Sequence, residues 1–231
     1  SCLSNMQPQK SQVSQLNKLL EDYYGIPEKR ARDNPLDTLI KTILSQNTSD
    51  VNSRRAYKSL KDKFADWEKV LQAPLQEIAE SIQSGGLANQ KSQRIQRVLE
   101  WLKTDRNSLD MKWICDQNPY DMIEKFTKIK GIGVKTIAIV LCFECGHNIF
   151  PVDTHVNRVC KRLGLSPGNA SPTKTFWIMD DIVPEGKPEG KPEEGEHGED
   201  DEFPVVTRGT EMITPEGILR KLSNGSPDWY L

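Results

Sequence analysis

The chain has 231 residues, of which 36% are hydrophobic and 28% charged, a composition typical of a globular protein with a polar surface. No run approaches 18 uncharged apolar residues, so we expect no membrane-spanning helix. The first residues, 1–4, lack the basic and apolar regions of a signal peptide. Five scattered cysteines predict no disulfide framework and favour a reducing, intracellular compartment: cytoplasm or nucleoid in a prokaryote, nucleus in a eukaryote.

The net charge of −2 hides an asymmetry along the chain. Residues 184–202 carry nine acidic residues and two lysines, a net charge of −7, whereas residues 1–183 carry a net charge of +5. A moderately basic body with an acidic tail is compatible with nucleic-acid binding, although the charge alone does not establish it.

Apolar residues recur at helical spacing through residues 10–183, and no segment shows the alternation of a strand. We therefore predict an all-α domain over residues 1–183, with short loops and a shared core. A proline at position 35 opens one helix, and Gly85-Gly86 stops another. In chain order, the apolar stripes that predict helices lie at 13–20, 36–44, 51–64, 75–82, 95–102, 122–126 and 137–143, the last helix running through Cys145.

The sequence changes character after Val183. Residues 184–202 repeat Pro-Glu-Gly-Lys and are rich in like charges, so we predict a disordered acidic linker. Residues 203–231 contain some apolar positions, which at 218–222 have the spacing of a short helix, and we assign them no role.

The segment Ile-Lys-Gly-Ile-Gly-Val-Lys-Thr at 129–136 lies between two predicted helices, within a helix-hairpin-helix near 121–145. Two glycines around one apolar residue permit a tight turn, with Ile132 directed into the core. The free N–H groups of such a turn and of the next helix suit a phosphate oxygen, so the element predicts sequence-independent DNA binding. An ordinary helix–helix turn with a glycine cap would look the same.

Lys135 is expected in the first turn of the second hairpin helix, and Asp153 follows it by 18 residues. The positive end of a helix favours a neutral amine, which is a nucleophile towards the C1′ carbon of a sugar. One apolar helix out and one loop back would return Asp153 to Lys135, where a carboxylate can take the proton of the lysine or stabilise a sugar cation. A solvated lysine and a purely capping aspartate are the alternatives.

Four motifs together resemble the endonuclease III family of helix-hairpin-helix DNA glycosylases with a Gly-Pro-Asp loop. They are Gly-Ile-Gly-Val-Lys-Thr at 131–136, Val-Asp-Thr-His-Val-Asn-Arg-Val at 152–159, Ile-Leu-Ser-Gln-Asn-Thr-Ser-Asp at 43–50 and Gly-Leu-Ala-Asn-Gln-Lys at 86–91. The resemblance covers roughly residues 10–183. It implies two helical subdomains with the active site between them.

The resemblance further implies base-excision repair: removal of an oxidised pyrimidine, then cleavage of the abasic strand by β-elimination. Lys135 would be the nucleophile and Asp153 its essential partner. Gln46 or Asn47 would fill the space of the extruded nucleotide, although either could simply cap a helix end. The partner would be duplex DNA with a damaged base or abasic site. The protein would bind it as a monomer and would not associate with a membrane. The remaining expected DNA contacts are Gly131, Gly133, Val134, Thr136 and His155.

The chain departs from many relatives in its cysteines. Those relatives bind a [4Fe–4S] cluster through four cysteines spaced C-x6-C-x2-C-x5-C near the C-terminus. No cysteine follows Cys160 in this chain, so we expect neither that cluster nor any metal site. Cys142 and Cys145 are expected to be buried core thiols. A monovalent cation at the hairpin remains compatible with the family. Relatives usually continue into another apolar helix after Val183, whereas this chain enters the acidic segment. An incomplete terminal subdomain would expose the side of the first helix that carries Leu16 and Leu20.

Three other functions fit parts of the sequence. A catalytically impaired or truncated relative would bind DNA without cleaving it. A glycosylase for mismatched or methylated bases would use the same residues on another substrate. An interaction module would bind a basic partner through the acidic segment.

Overall fold

The computed structural model describes residues 3–26 and 31–183, and the predictions for 184–202 and 203–231 lie outside these residues. The described chain is helical and contains no strand, which confirms the predicted all-α class. The described chain also contains two short 3-10 segments, at Gln83–Gly85 and Lys112–Asp116. The helices are α1 Leu3–Tyr24, α2 Pro35–Ser45, α3 Asp50–Lys63, α4 Trp67–Gln72, α5 Leu75–Ser81, α6 Ala88–Arg106, α7 Pro119–Thr127, α8 Val134–Phe143, α9 Thr154–Arg162 and α10 Pro172–Ile182.

Most helices begin at a residue whose side chain accepts a hydrogen bond from the first turn. Such a cap satisfies one of the N–H groups that a helix start leaves without a partner. Three of these caps are followed by proline, which fits the first helical position because it has no N–H to satisfy. The capping residues are Asn34, Ser49, Asp66, Asn118, Asp153 and Ser171.

The described residues divide into two compact units. The central unit, Arg32–Ile149, is built around α2 and α8. Helix α2 contacts α3, α6 and α8, and α8 is apolar on every side, with residues 136–141 all buried. A helix without a polar face has to be surrounded by others. The core face of α2 consists of Leu36, Leu39, Ile40, Ile43 and Leu44.

The terminal unit comprises the described residues up to Ala31 and from Phe150 onward. Helix α1 packs against α10, and α10 packs against α9. The expectation of an uncovered side on α1 is wrong for Leu16, which packs against the core of this unit, and Leu20 is half-buried. That core consists of Val13, Cys160, Leu165, Met179 and Ile182.

Helix α8 is shorter than the sequence predicted. Helix α8 ends at Phe143 rather than running through Cys145, because the backbone turns back there and the N–H of His147 donates to the carbonyl of Leu141. In the described part of the chain, no helix combines the length and apolar character needed to cross a membrane.

Candidate functional site

The predicted hairpin is present between α7 and α8. The N–H of Ile129 donates to the carbonyl of Phe126, and the N–H of Ile132 donates to the carbonyl of Ile129, both at 3.0 Å. These two bonds fold the chain into consecutive tight turns. Ile132 is 4% exposed, so it anchors the turn in the core as predicted.

The two hairpin glycines have different reasons to be glycine. Gly131 has a φ of +99°, a region that side chains with a Cβ avoid. Gly133 has an ordinary φ of −95° and precedes α8 as its N-cap residue. A Cβ at Gly133 would meet nothing within 4 Å, so the protein itself does not require glycine there. The open space at Gly133 instead lets an external group approach the backbone.

Lys135 is the second residue of α8 and is half-buried. The N-terminus of this helix has no side-chain cap, because Gly133 cannot supply one. The N–H groups of Gly133, Val134 and Lys135 precede the first intrahelical donor, which is the N–H of Thr136. Lys135 therefore lies beside a helix start whose N–H groups are available to an anion.

Gln46 lies close to the N-terminus of α8, 90 residues away along the chain. Its backbone ends α2, and its amide Nε2 lies 3.4 Å from the hydroxyl of Thr136, which is the residue after Lys135. Asn47 is exposed and has a φ of +51°, so it turns the chain after α2. The structure thus brings Gln46, rather than Asn47, to the hairpin helix.

Asp153 and His155 belong to the terminal unit, whereas Lys135 belongs to the central unit. Asp153 is 7% exposed and caps α9, its Oδ1 accepting from the N–H of Val156 at 2.7 Å. His155 is exposed in the first turn of α9, with its Nδ1 3.2 Å from Nη2 of Arg158. The capping role of Asp153 is confirmed, and its pairing with Lys135 stays a prediction.

Two basic residues of α6 were not identified as site residues from the sequence. Lys91 is 0% exposed and donates from Nζ to the carbonyls of Leu44 and Gly85, both at 2.7 Å. Burial, with a smaller contribution from Arg94, lowers the pKa of Lys91 to about 8. Arg94 donates to Oε1 of Gln46. The sequence signal for Lys91 was the Gly-Leu-x-x-x-Lys turn at 86–91, which does not reveal its two carbonyl partners, and Arg94 lies outside that motif.

The prediction for the cysteines is partly wrong. Cys145 forms a disulfide with Cys115 instead of remaining a buried thiol. Cys142 is free, and burial raises the pKa of its thiol to about 11. Cys160 is free and buried in the core of the terminal unit.

The described cysteines do not fit an iron–sulfur cluster. A [4Fe–4S] cluster in a protein is held by four cysteine thiolates. Two of the four described cysteines are bonded to each other. Among the described residues, no group of three or more His, Cys, Asp or Glu side chains forms a metal-ligand set.

Comparison with known proteins agrees with the geometry of the hairpin. The chain is 39% identical over 150 residues to an Arabidopsis thaliana protein named as a DNA glycosylase, covering 65% of this chain and 51% of that protein. It is 34% identical over 165 residues to endonuclease III of Sulfolobus acidocaldarius, covering 66% of this chain and 70% of the relative. The chain thus spans about half the length of the plant relative.

Among solved structures, a trapped covalent intermediate of endonuclease III with DNA matches with a TM-score of 0.63 and 26% identity. The match covers 76% of this chain and 78% of that one. Residues 40–185 match the family described as HhH-GPD superfamily base excision DNA repair protein, where HhH denotes the helix-hairpin-helix. Since this match spans more than half of the chain, the protein belongs to the HhH-GPD superfamily of base excision DNA repair proteins.

Proposed function

We propose that the chain is a DNA N-glycosylase with an associated AP lyase activity, acting as a monomer on oxidised pyrimidines in duplex DNA. The observation that carries the proposal is the position of Lys135, half-buried in the first turn of α8 directly after the hairpin. Once it has given up its proton, a lysine amine at this position can act as a nucleophile towards C1′ of a sugar. Family membership and the covalent endonuclease III complex support the same chemistry.

In the proposed reaction, Nζ of Lys135 attacks C1′ of the damaged nucleotide. The bond from C1′ to the base breaks, and the base leaves with the bonding electrons and takes up a proton. Opening of the sugar ring then gives a protonated imine between C1′ and Lys135. Loss of a proton from C2′ expels the 3′ phosphate, and hydrolysis of the imine frees the amine.

We assign Asp153 as the partner of Lys135, a role that rests on the resemblance of the motif at 152–159. Its Oδ1 already accepts the N–H of Val156, so Oδ2 is the atom that would take the lysine proton or face the developing positive charge of the sugar. Burial of the carboxylate at 7% exposure strengthens such an interaction, because water screens it less.

DNA binding is assigned to the backbone of the hairpin. The N–H groups of Gly133, Val134 and Lys135 would bind one phosphate, and the open space at Gly133 accommodates its approach. Such contacts position a duplex without reading its sequence. The target nucleotide has to leave the base stack before attack, and Gln46 would fill the vacated space.

Borohydride trapping tests the proposal directly. It reduces the imine to a stable amine, so incubation with duplex DNA containing thymine glycol or an abasic site should yield a covalent protein–DNA adduct. Lys135→Ala should remove the adduct, and Asp153→Asn should slow its formation by at least about 100-fold. Lys130→Ala removes an exposed hairpin lysine and serves as the charge-matched control, which should still form the adduct.

The same assay separates the proposal from its alternatives. Binding of lesion DNA without any adduct or cleavage would identify a non-catalytic relative. An adduct on abasic DNA, together with excision of only mismatched or methylated bases across a lesion panel, would replace the substrate and keep the mechanism. An adduct that persists in Lys135→Ala would contradict the assignment of the nucleophile.

A further inference from the structure

Arg94 connects three parts of the central unit that the sequence separates widely. Its Nη1 donates to Oε1 of Gln46, 48 residues earlier at the end of α2. Its aliphatic stem lies against Gly131 in the hairpin, and its own backbone is in α6. One side chain thus extends from α6 across the hairpin to Gln46.

The hairpin is shaped to admit this side chain. A Cβ added at Gly131 would lie 2.6 Å from Cγ of Arg94 and 3.0 Å from both Cδ and Nε. Real Cβ atoms do not approach other atoms that closely, so the absence of a side chain at Gly131 is what lets Arg94 pass. Gly131 therefore serves both the turn, through its φ of +99°, and the path of Arg94.

Gln46 is held at both ends of its amide. Arg94 binds Oε1, and Nε2 lies 3.4 Å from the hydroxyl of the buried Thr136. The guanidinium contact is charge-assisted and therefore the stronger of the two. The side chain of Gln46 is thereby fixed in one orientation next to the residue that follows Lys135.

We propose that Arg94 is a positioning residue that pre-orders the Gln46 side chain for insertion into the base stack when the damaged nucleotide leaves it. The inference rests on the proposed function, since it assigns how Gln46 is presented during base excision. A free glutamine loses much rotamer freedom when it is fixed, and a residue that fixes it beforehand removes that cost from binding. Arg94 acts through Gln46 and is not itself a catalytic residue.

Binding to two matched duplexes tests the role of Arg94. One duplex carries a tetrahydrofuran abasic analogue and the other is undamaged, and the preference is the ratio of the two dissociation constants. Gln46 is inserted only where a nucleotide is missing or extruded, so Arg94→Met should lower this preference by about tenfold. Arg97→Met removes a positive charge three residues further along α6, where Arg97 donates a hydrogen bond to Gln93 of the same helix, and should leave the preference within about twofold of the wild type.

A double variant separates positioning from a general structural effect. Gln46→Ala should lower the preference to a similar extent, and Arg94→Met added to Gln46→Ala should change it by less than about twofold, because both act on the same step. Arg94→Lys keeps the charge and should restore part of the preference. Thermal unfolding of each variant confirms that the fold persists, and Gln46→Ala provides the comparison if Arg94→Met unfolds.

The outcomes distinguish this inference from the proposed function. A wild-type chain that forms the borohydride adduct, together with Arg94→Met that keeps the wild-type preference, overturns the inference alone. Losses that multiply in the double variant also overturn it, since they show independent roles. A wild-type chain that neither forms an adduct nor prefers the abasic duplex overturns the proposed function and this inference with it.

Discussion

The side chain of Lys91 is 0% exposed, whereas the other lysines in the described part of the chain are exposed or half-buried. Burying a charge is unfavourable unless polar partners replace the lost water. The carbonyls of Leu44 and Gly85 supply that replacement, and they belong to the end of α2 and the 3-10 segment after α5. Lys91 thereby links the end of α2, next to Gln46, to the 3-10 segment.

Replacing Lys91 with methionine should destabilise the central unit. Lys91→Met keeps the length and apolar stem of the side chain but leaves two buried carbonyls without donors, so we expect the free energy of unfolding to fall by about 1–3 kcal/mol. Lys103→Met on the same helix breaks a half-exposed ion pair with Glu68 and should cost less than about 1 kcal/mol. Urea unfolding of both variants measures the difference, and equal losses would contradict the role of Lys91.

The pH dependence of unfolding provides an independent check on the same residue. Folding lowers the Lys91 pKa from 10.5 to about 8, chiefly by burial, so the unfolded chain binds more protons than the native one between these pH values. The free energy of unfolding of the wild type should therefore rise with pH across this window, relative to Lys91→Met. Below about pH 8 the contribution of this group should not change with pH.

The side chains that the sequence analysis identified are those with a local signal. Lys135 and Asp153 each follow a turn or cap pattern that is visible within a few residues. Lys91 and Arg94 reach partners 47 and 48 residues away, and no periodicity or composition encodes such a contact. The partners of such a basic residue become visible only when the folded chain brings the distant segments together.

At the scale of elements, alanine substitutions at the two hairpin glycines should have different effects on stability. Gly131→Ala forces a Cβ into a φ of +99° and against Arg94, so we expect it to lower the free energy of unfolding by about 1–3 kcal/mol. Gly133→Ala has an ordinary φ and open space, so its stability should change by less than about 1 kcal/mol. The methyl group of Gly133→Ala would nevertheless occupy the approach to the N–H groups of α8, and duplex affinity should fall.

Calorimetric unfolding and fluorescence anisotropy on one undamaged duplex measure the two effects separately. A Gly133→Ala variant with wild-type affinity would show that no phosphate approaches the backbone at this point. A Gly131→Ala variant with wild-type stability would contradict the close approach of Arg94 as a reason for glycine at this position.

Helix starts were predictable from the sequence because their chemistry is local. The Asn-Pro pair at 34–35 and the aspartate at 153 define helix starts through a hydrogen bond that spans only two or three residues. The end of α8 was predicted less well. It was expected to run through Cys145, but the chain turns after Phe143 because the backbone N–H groups of 145–147 bond back to α8.

At the scale of the whole molecule, the five cysteines indicated no covalent framework, yet Cys115 and Cys145 are joined. The spacing of cysteines does not encode a pairing, which depends on two loops meeting after the fold has formed. One of these cysteines lies in the 3-10 segment before α7 and the other follows α8. The disulfide therefore closes a covalent loop around the entire hairpin.

Breaking this disulfide should destabilise the unit that contains the hairpin. For a sequence separation of 30 residues, loop-closure entropy predicts a loss of about 3–4 kcal/mol in the free energy of unfolding when Cys115 and Cys145 are both changed to serine. Cys142→Ser, at a free and half-buried thiol, is the matched control and should cost less than about 2 kcal/mol. Urea unfolding of the oxidised wild type with and without dithiothreitol measures the same difference without mutation. Equal unfolding free energies in the two conditions, with the oxidised bond verified by mass spectrometry, would contradict a stabilising role, because an intact cross-link has to restrict the unfolded chain more than two free thiols do.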